Sequence, residues 1–227
     1  MSHNLNIFET IFKVMVGFVP FLFALCFHEF AHGWVARLKG DRTAEIMGRL
    51  TLNPIAHIDP IGTLILPIFS MLTGIPLFGW AKPVPVDERN LKNPRKDMFW
   101  IAFAGPLSNM LLALIGAGAL LAVTKVFHVE LLNQKDSIRT LVAVIAVFIQ
   151  VNIFLAVFNM IPLHPLDGGK VLARFLPYRF NRWLEDRQMY SSYMLLLVFV
   201  FFGPVLIGKP AHWIMGHLLV LVEMVAF

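Results

Sequence analysis

A chain of 227 residues that is 58% hydrophobic and only 15% charged, with a mean hydropathy of +0.72, does not fit a water-soluble domain, where about half the residues are apolar and about a quarter charged. Its 19 Lys and Arg exceed its 14 Asp and Glu, yet they lie in short stretches between apolar runs, with no basic cluster interleaved with stacking aromatics. This excludes nucleic acid and suits the headgroups of a lipid bilayer, while the single cysteine, Cys26, excludes an internal disulfide and a CxxC metal knuckle.

An α-helical polytopic membrane protein, a single membrane-embedded domain over residues 1–227, is therefore predicted. A hydrocarbon core takes about 20 helical residues to cross. Four runs meet that length, at about 11–38, 98–123, 138–161 and 189–207. The first lacks a basic leader and a small-residue cleavage site, so it reads as a retained span and not as a signal peptide. Its second half contains FHEFAH from Phe27 to His32. On a helix His28 and His32 are one turn apart on one face, so both imidazoles can reach one metal ion, and Glu29 is placed to deprotonate a water there. Ionisable groups at that depth are costly unless they are functional. Without a metal, the same three residues would be hydrogen-bonding partners inside a helical bundle.

Residues 51–86 are apolar but interrupted by Pro60, Pro67, Pro76, Pro83 and Pro85 and by Gly62, Gly74 and Gly79. Broken backbone survives at membrane depth only against protein or a water-filled cavity. This predicts a re-entrant segment, as a β-hairpin or in another form. In the second span, the small residues Ala113, Gly116, Ala117 and Ala119 are expected at helix contacts. The third span ends in NMIPLHPLDGG, Asn159 to Gly169. Two imidazoles leave a catalytic zinc one protein ligand short, and Asp167, framed by prolines and glycines, is the stronger candidate. His57 and His164 stay open as alternatives, and Asp167 could equally cap the next helix. His3, His128, His212 and His217 read as solvated or interfacial. After the fourth span, residues 211–227 are expected to form an interfacial or short membrane helix.

HEFAH in the first span, GPLSN (Gly105–Asn109) in the second and NMIPLHPLDGG at the end of the third together resemble the site-2 protease family of intramembrane zinc metalloproteases. The resemblance runs in order over nearly the whole chain, in a compact form with no room for a PDZ or CBS domain. It implies one Zn2+ per chain held by His28, His32 and Asp167, with Glu29 as general base. Asn109 and Asn159 match the family's polar positions, which support substrate or active-site backbone; an Asn bridging two helices would look the same. The implied activity is hydrolysis of peptide bonds within or next to transmembrane segments of other membrane proteins. A non-catalytic zinc-binding scaffold or a metal transporter is the rival reading.

The metal reading makes a geometric demand. His28 and Asp167 share a depth only if the first and third spans run in the same direction, the second runs against them, and residues 51–86 enter and leave on one side. Of the 19 Lys and Arg, Lys13, Lys125, Lys135, Arg139 and Lys209 then fall on the far side and fourteen on the site's side. This predicts a cytoplasmic site with the N-terminus outside, in a prokaryotic inner membrane. Because a helix hides its carbonyls, the substrate must unwind, and the edge of the 51–86 segment could take it up as an added strand or merely pack as a plug.

Overall fold

The computed structural model describes residues 7–73, 79–132 and 136–226. Three long helices form the frame: α1 (Ile7–Leu38), α4 (Pro94–Leu132) and α5 (Asp136–Asn159). Each is apolar around its whole circumference, as a helix facing lipid on one side and protein on the other must be, and the three pack pairwise against one another. Phe21, Ala24 and Leu25 of α1 form one core cluster with Val151 and Leu155 of α5. On α4, the Ile101 carbonyl lies at His32 while Asn109 lies at His28 and Ala24. Residue numbers thus rise together along α1 and α5 and fall along α4, the arrangement that the metal reading demands.

Lipid tails give no hydrophobic drive for helix association, so close approach of small residues has to supply it. Ala113 and Ala117 are buried in a core cluster with Ile149 and Ile153 of α5 and Val222 of the last helix. At Gly116 an added Cβ would lie 2.8 Å from Ile149. Ala119, the fourth small residue, is exposed.

After α1 come α2 (Thr43–Ile46), a 3-10 turn at Pro54–His57, a π-turn at Pro60–Ile65 and α3 (Leu66–Thr73). The tip, 74–78, lies outside the described residues. The returning limb pairs back onto the descending one: the Trp80 amide donates to the Gly62 carbonyl (3.1 Å) and the Lys82 amide to that of His57 (2.9 Å). Both ends of the segment therefore meet. Val84 and Leu50 lie against Gly33 of α1 and Met71 against Gly17, sixteen positions earlier and so about 24 Å deeper. The segment is re-entrant, but the β-hairpin form is not what the residues adopt, since the described residues contain no strand. The reason is the position of Pro60. It follows Asp59, whose carboxylate caps the Ile61 and Gly62 amides, and at the first position of a helical turn proline starts the turn without breaking it.

The helical path around the expected fourth span, 189–207, extends further than expected. Beyond α6 (Asp167–Ala173) and the amphipathic α7 (Tyr178–Glu185), α8 (Gln188–Gly203) continues through a π-turn at Pro204–Gly208 into α9 (Lys209–Ala226). Within that path the described residues Phe201–Met224 form a stretch long and apolar enough to cross, which takes in most of the residues expected at the interface. Gly203-Pro204 and Gly208 look like a break in sequence, yet the π-turn absorbs the missing amide and the helical path goes on.

Asp41 ties the returning limb to the end of α1. It is fully buried and accepts from the Thr43 amide (3.0 Å), the Asp87 amide (2.8 Å) and the Asn90 side-chain amide (2.9 Å). Burial works to raise its pKa, but the hydrogen bonds from Thr43, Asn90 and Asp87 outweigh it and the net shift is downward. A carboxyl whose folded pKa lies below its unfolded value of about 3.9 adds stability that is complete above that value and is lost as pH falls below it. Asp41→Ala is expected to cost about 2–3 kcal/mol and to flatten the acid side of the stability profile, read as thermal unfolding midpoints between pH 3 and 7.

Candidate active site

His28, Glu29 and His32 sit on the upper half of α1, where α4 and the start of α6 close on them. The His28 and His32 Nε2 atoms are 3.0 Å apart, and Asp167 Oδ2 lies 3.1 Å from the first and 3.2 Å from the second. All three side chains are buried. Among the described residues they are the group of His, Cys, Asp and Glu side chains whose ligand atoms converge on one point.

What the three atoms require follows from the other ring nitrogens. His28 Nδ1 is 2.6 Å from the side-chain oxygen of Asn109, and His32 Nδ1 is 2.7 Å from the Ile101 carbonyl. Both partners are acceptors, so both Nδ1 atoms carry the proton, and in the neutral imidazoles both Nε2 atoms present lone pairs. Two such lone pairs and a carboxylate oxygen in mutual contact suit a cation between them. A point equidistant from a triangle of these sides is about 1.8 Å from each corner, so the three atoms could share one ion at the zinc distance for imidazole and carboxylate, about 2.0–2.2 Å. The donor set therefore fits zinc and leaves a fourth position open.

Close approach of backbone makes this possible at two glycines. A Cβ on Gly105 would stand 2.5 Å from the His32 ring and 2.6 Å from His28 Nε2, so α4 lays bare backbone over both imidazoles. At Gly168 a Cβ would meet the Met160 and Ile161 carbonyls at 2.4 and 2.3 Å, so only glycine lets α6 begin tight against the end of α5. Asp167 is the first residue of α6, not its cap; Leu166 holds the cap position without a side-chain bond. Gly105→Ala is expected to push the imidazoles apart and weaken zinc binding at least tenfold, as measured by competition with a chromophoric chelator. Unchanged affinity would show that the α4 backbone does not fix the rings.

Glu29 stands outside the triangle. One of its oxygens, Oε2, accepts from the Val84 amide at 2.8 Å. Pro83 and Pro85 hold Lys82 and Val84 extended, which is how the returning limb delivers that amide. A cavity of about 800 Å³ opens beside the cluster, lined by His28, Glu29, His32, Trp80, Asn159 and Asp167 among others. Of the two asparagines singled out in the sequence, Asn109 reaches His28, whereas Asn159 lines the cavity and donates to the Leu155 carbonyl (3.0 Å). His57 is fully buried and its Nε2 bonds the Thr51 carbonyl (2.8 Å), away from the cluster. His164 lines the cavity. Two contributors escape a reading of the sequence: the Val84 amide, which has no side-chain signature, and Asn152, which with Gln150 is a polar residue in the apolar stretch of α5.

A family model described as peptidase family M50 matches residues 16–203. The chain is 36% identical over 182 residues to a Bacillus subtilis protein provisionally named zinc metalloprotease YwhC, which covers 80% of this chain and 78% of that one. It is 31% identical over 197 residues to a Mycobacterium tuberculosis protein provisionally named zinc metalloprotease Rip2, covering 86% of this chain and 68% of its relative. No solved structure matches the chain.

Proposed function

This chain belongs to peptidase family M50, the site-2 protease family, and on that premise we propose that it is an intramembrane zinc metalloprotease hydrolysing peptide bonds within or next to transmembrane segments of other membrane proteins. The observation that supports the reading best is the convergence of two imidazole Nε2 atoms and one carboxylate oxygen beside a glutamate that is not part of the cluster. His28, His32 and Asp167 would hold the zinc ion. Zinc in such a site polarises a scissile carbonyl and brings the pKa of water near 7.

Glu29 takes the proton of the attacking water and passes it to the leaving amine. The Val84 amide fixes one oxygen of that carboxylate, leaving Oε1 for the proton. Asn159, on the cavity wall, is in reach of a substrate backbone there. Among the described residues of α1, α4 and α5, the buried polar side chains His28, Glu29, His32, Asn109 and Asn152 gather at this one depth, with Asp97 at the start of α4, which favours an enzyme over a metal transporter.

The returning limb is suited to receive an unwound substrate. Trp80 and Lys82 turn their amides toward the descending limb, so in extended backbone Ala81 turns its own away from it. An added strand would pair with that free edge. Ala81→Pro is expected to lower turnover of a transmembrane substrate at least tenfold with zinc affinity unchanged; equal turnover would leave the limb as packing alone.

The loop charges support a cytoplasmic site with the N-terminus outside, and the bacterial relatives support the inner membrane of a prokaryote. The test of the whole reading is to compare membrane proteins that accumulate in cells carrying the wild type or Glu29→Gln. Uncleaved membrane proteins specific to the variant support proteolysis, and identical profiles overturn it.

A further inference from the structure

We infer that Asn152 of α5, which touches none of the proposed ligands, is a positioning residue that fixes through Asn109 which nitrogen of His28 faces the metal. The starting point is a group whose polarity cannot reverse. The Phe148 carbonyl only accepts, and it takes a hydrogen bond from the Asn152 side-chain nitrogen at 2.8 Å. Asn152 must therefore present its oxygen on the other side, where the Asn109 nitrogen donates to it at 2.9 Å; that nitrogen's second proton goes to the Ala24 carbonyl at 3.1 Å. With both its protons committed, Asn109 can offer His28 Nδ1 only an oxygen, 2.6 Å away. His28 then carries its proton on Nδ1 and keeps the Nε2 lone pair for the ion.

Both asparagines are fully buried, so water is not available to replace either partner. Without the Asn152 oxygen, the Asn109 amide keeps one of its two acceptors, the Ala24 carbonyl, so its orientation is held less firmly and the turned-over form, with an N–H against His28 Nδ1, gains population. The proton would then sit on Nε2, a nitrogen unable to ligate. Polar groups behind a metal-bound imidazole typically alter metal affinity 10–100-fold when removed. Asn152 acts at two removes, through α4, and joins α5 to a site built on α1.

This inference rests on His28 being a zinc ligand, and the experiment separates the two. Zinc affinity is measured on the full chain in detergent micelles, by competition with a chromophoric chelator, for wild type, Asn152→Ala, Asn152→Asp and His28→Ala. Unfolding midpoints of the metal-free proteins are recorded in parallel. Asn152→Ala is expected to bind zinc at least tenfold more weakly. Asn152→Asp, whose protonated carboxyl offers the same one acceptor and one donor, is expected to stay within about threefold of wild type. Wild-type affinity in Asn152→Ala overturns the relay. So does an equal loss in both Asn152 variants that tracks a lowered unfolding midpoint, because that result marks a purely structural residue. If His28→Ala binds zinc as tightly as wild type, the reading of the site fails and the relay with it.

Discussion

Glu29→Gln is expected to lower cleavage of a transmembrane substrate by about 10²–10⁴-fold, the usual contribution of a positioned general base, while zinc content stays at that of the wild type. The amide side chain is the same size and its oxygen can still accept from Val84, as Oε2 does at 2.8 Å, so the returning limb stays docked and only proton transfer is lost. The measurement is turnover of a purified substrate in proteoliposomes, with metal content read by atomic emission on the same samples. Loss of zinc along with activity would move Glu29 from base to ligand. Full activity would remove it from the chemistry.

Removing a ligand has the opposite signature. His32→Ala and Asp167→Asn are each expected to abolish turnover by abolishing metal retention. If the roughly 10–16 kcal/mol of apparent zinc binding found in protein sites is divided among three donors, loss of one weakens affinity by about 10²–10⁴-fold or more. Asp167→Asn is the sharper of the two. It keeps the shape of the side chain that now lies 3.1 and 3.2 Å from the two Nε2 atoms but withdraws the anionic oxygen. Wild-type protein stripped with a chelator should regain activity on adding zinc, whereas the variants should not at the same concentration. Retention of zinc by Asp167→Asn would direct the search for the third ligand to His164, which shares the cavity.

Much of this arrangement was legible in the sequence because it is written in periods and exceptions. His28 and His32 show a helical spacing, and a carboxylate between two imidazoles is anomalous in an apolar run. Asp167 announced itself through its proline and glycine frame, although a frame of that kind does not distinguish ligand from cap; only the 139 residues of fold between Asp167 and His28 bring them together. The re-entrant course followed from the prolines, but its form did not. Pro60 was counted as an interruption when Asp59 makes it a helix start. The continuation of the fourth helix was not legible because hydropathy sees Pro204 and Gly208 as a boundary, whereas the backbone takes an extra residue into a π-turn and goes on. Asn152 was invisible for another reason. In FIQVNIF it is one of two polar residues, with Gln150, among apolar neighbours, and its importance lies in which atom of Asn109 it holds.

The bond from Val84 to Glu29 couples the returning limb to the carboxylate directly, amide to Oε2 at 2.8 Å. Any displacement of that limb at Val84 would therefore also free Oε2, so the position of a backbone segment some 55 residues further along the chain sets the orientation of a side chain on α1.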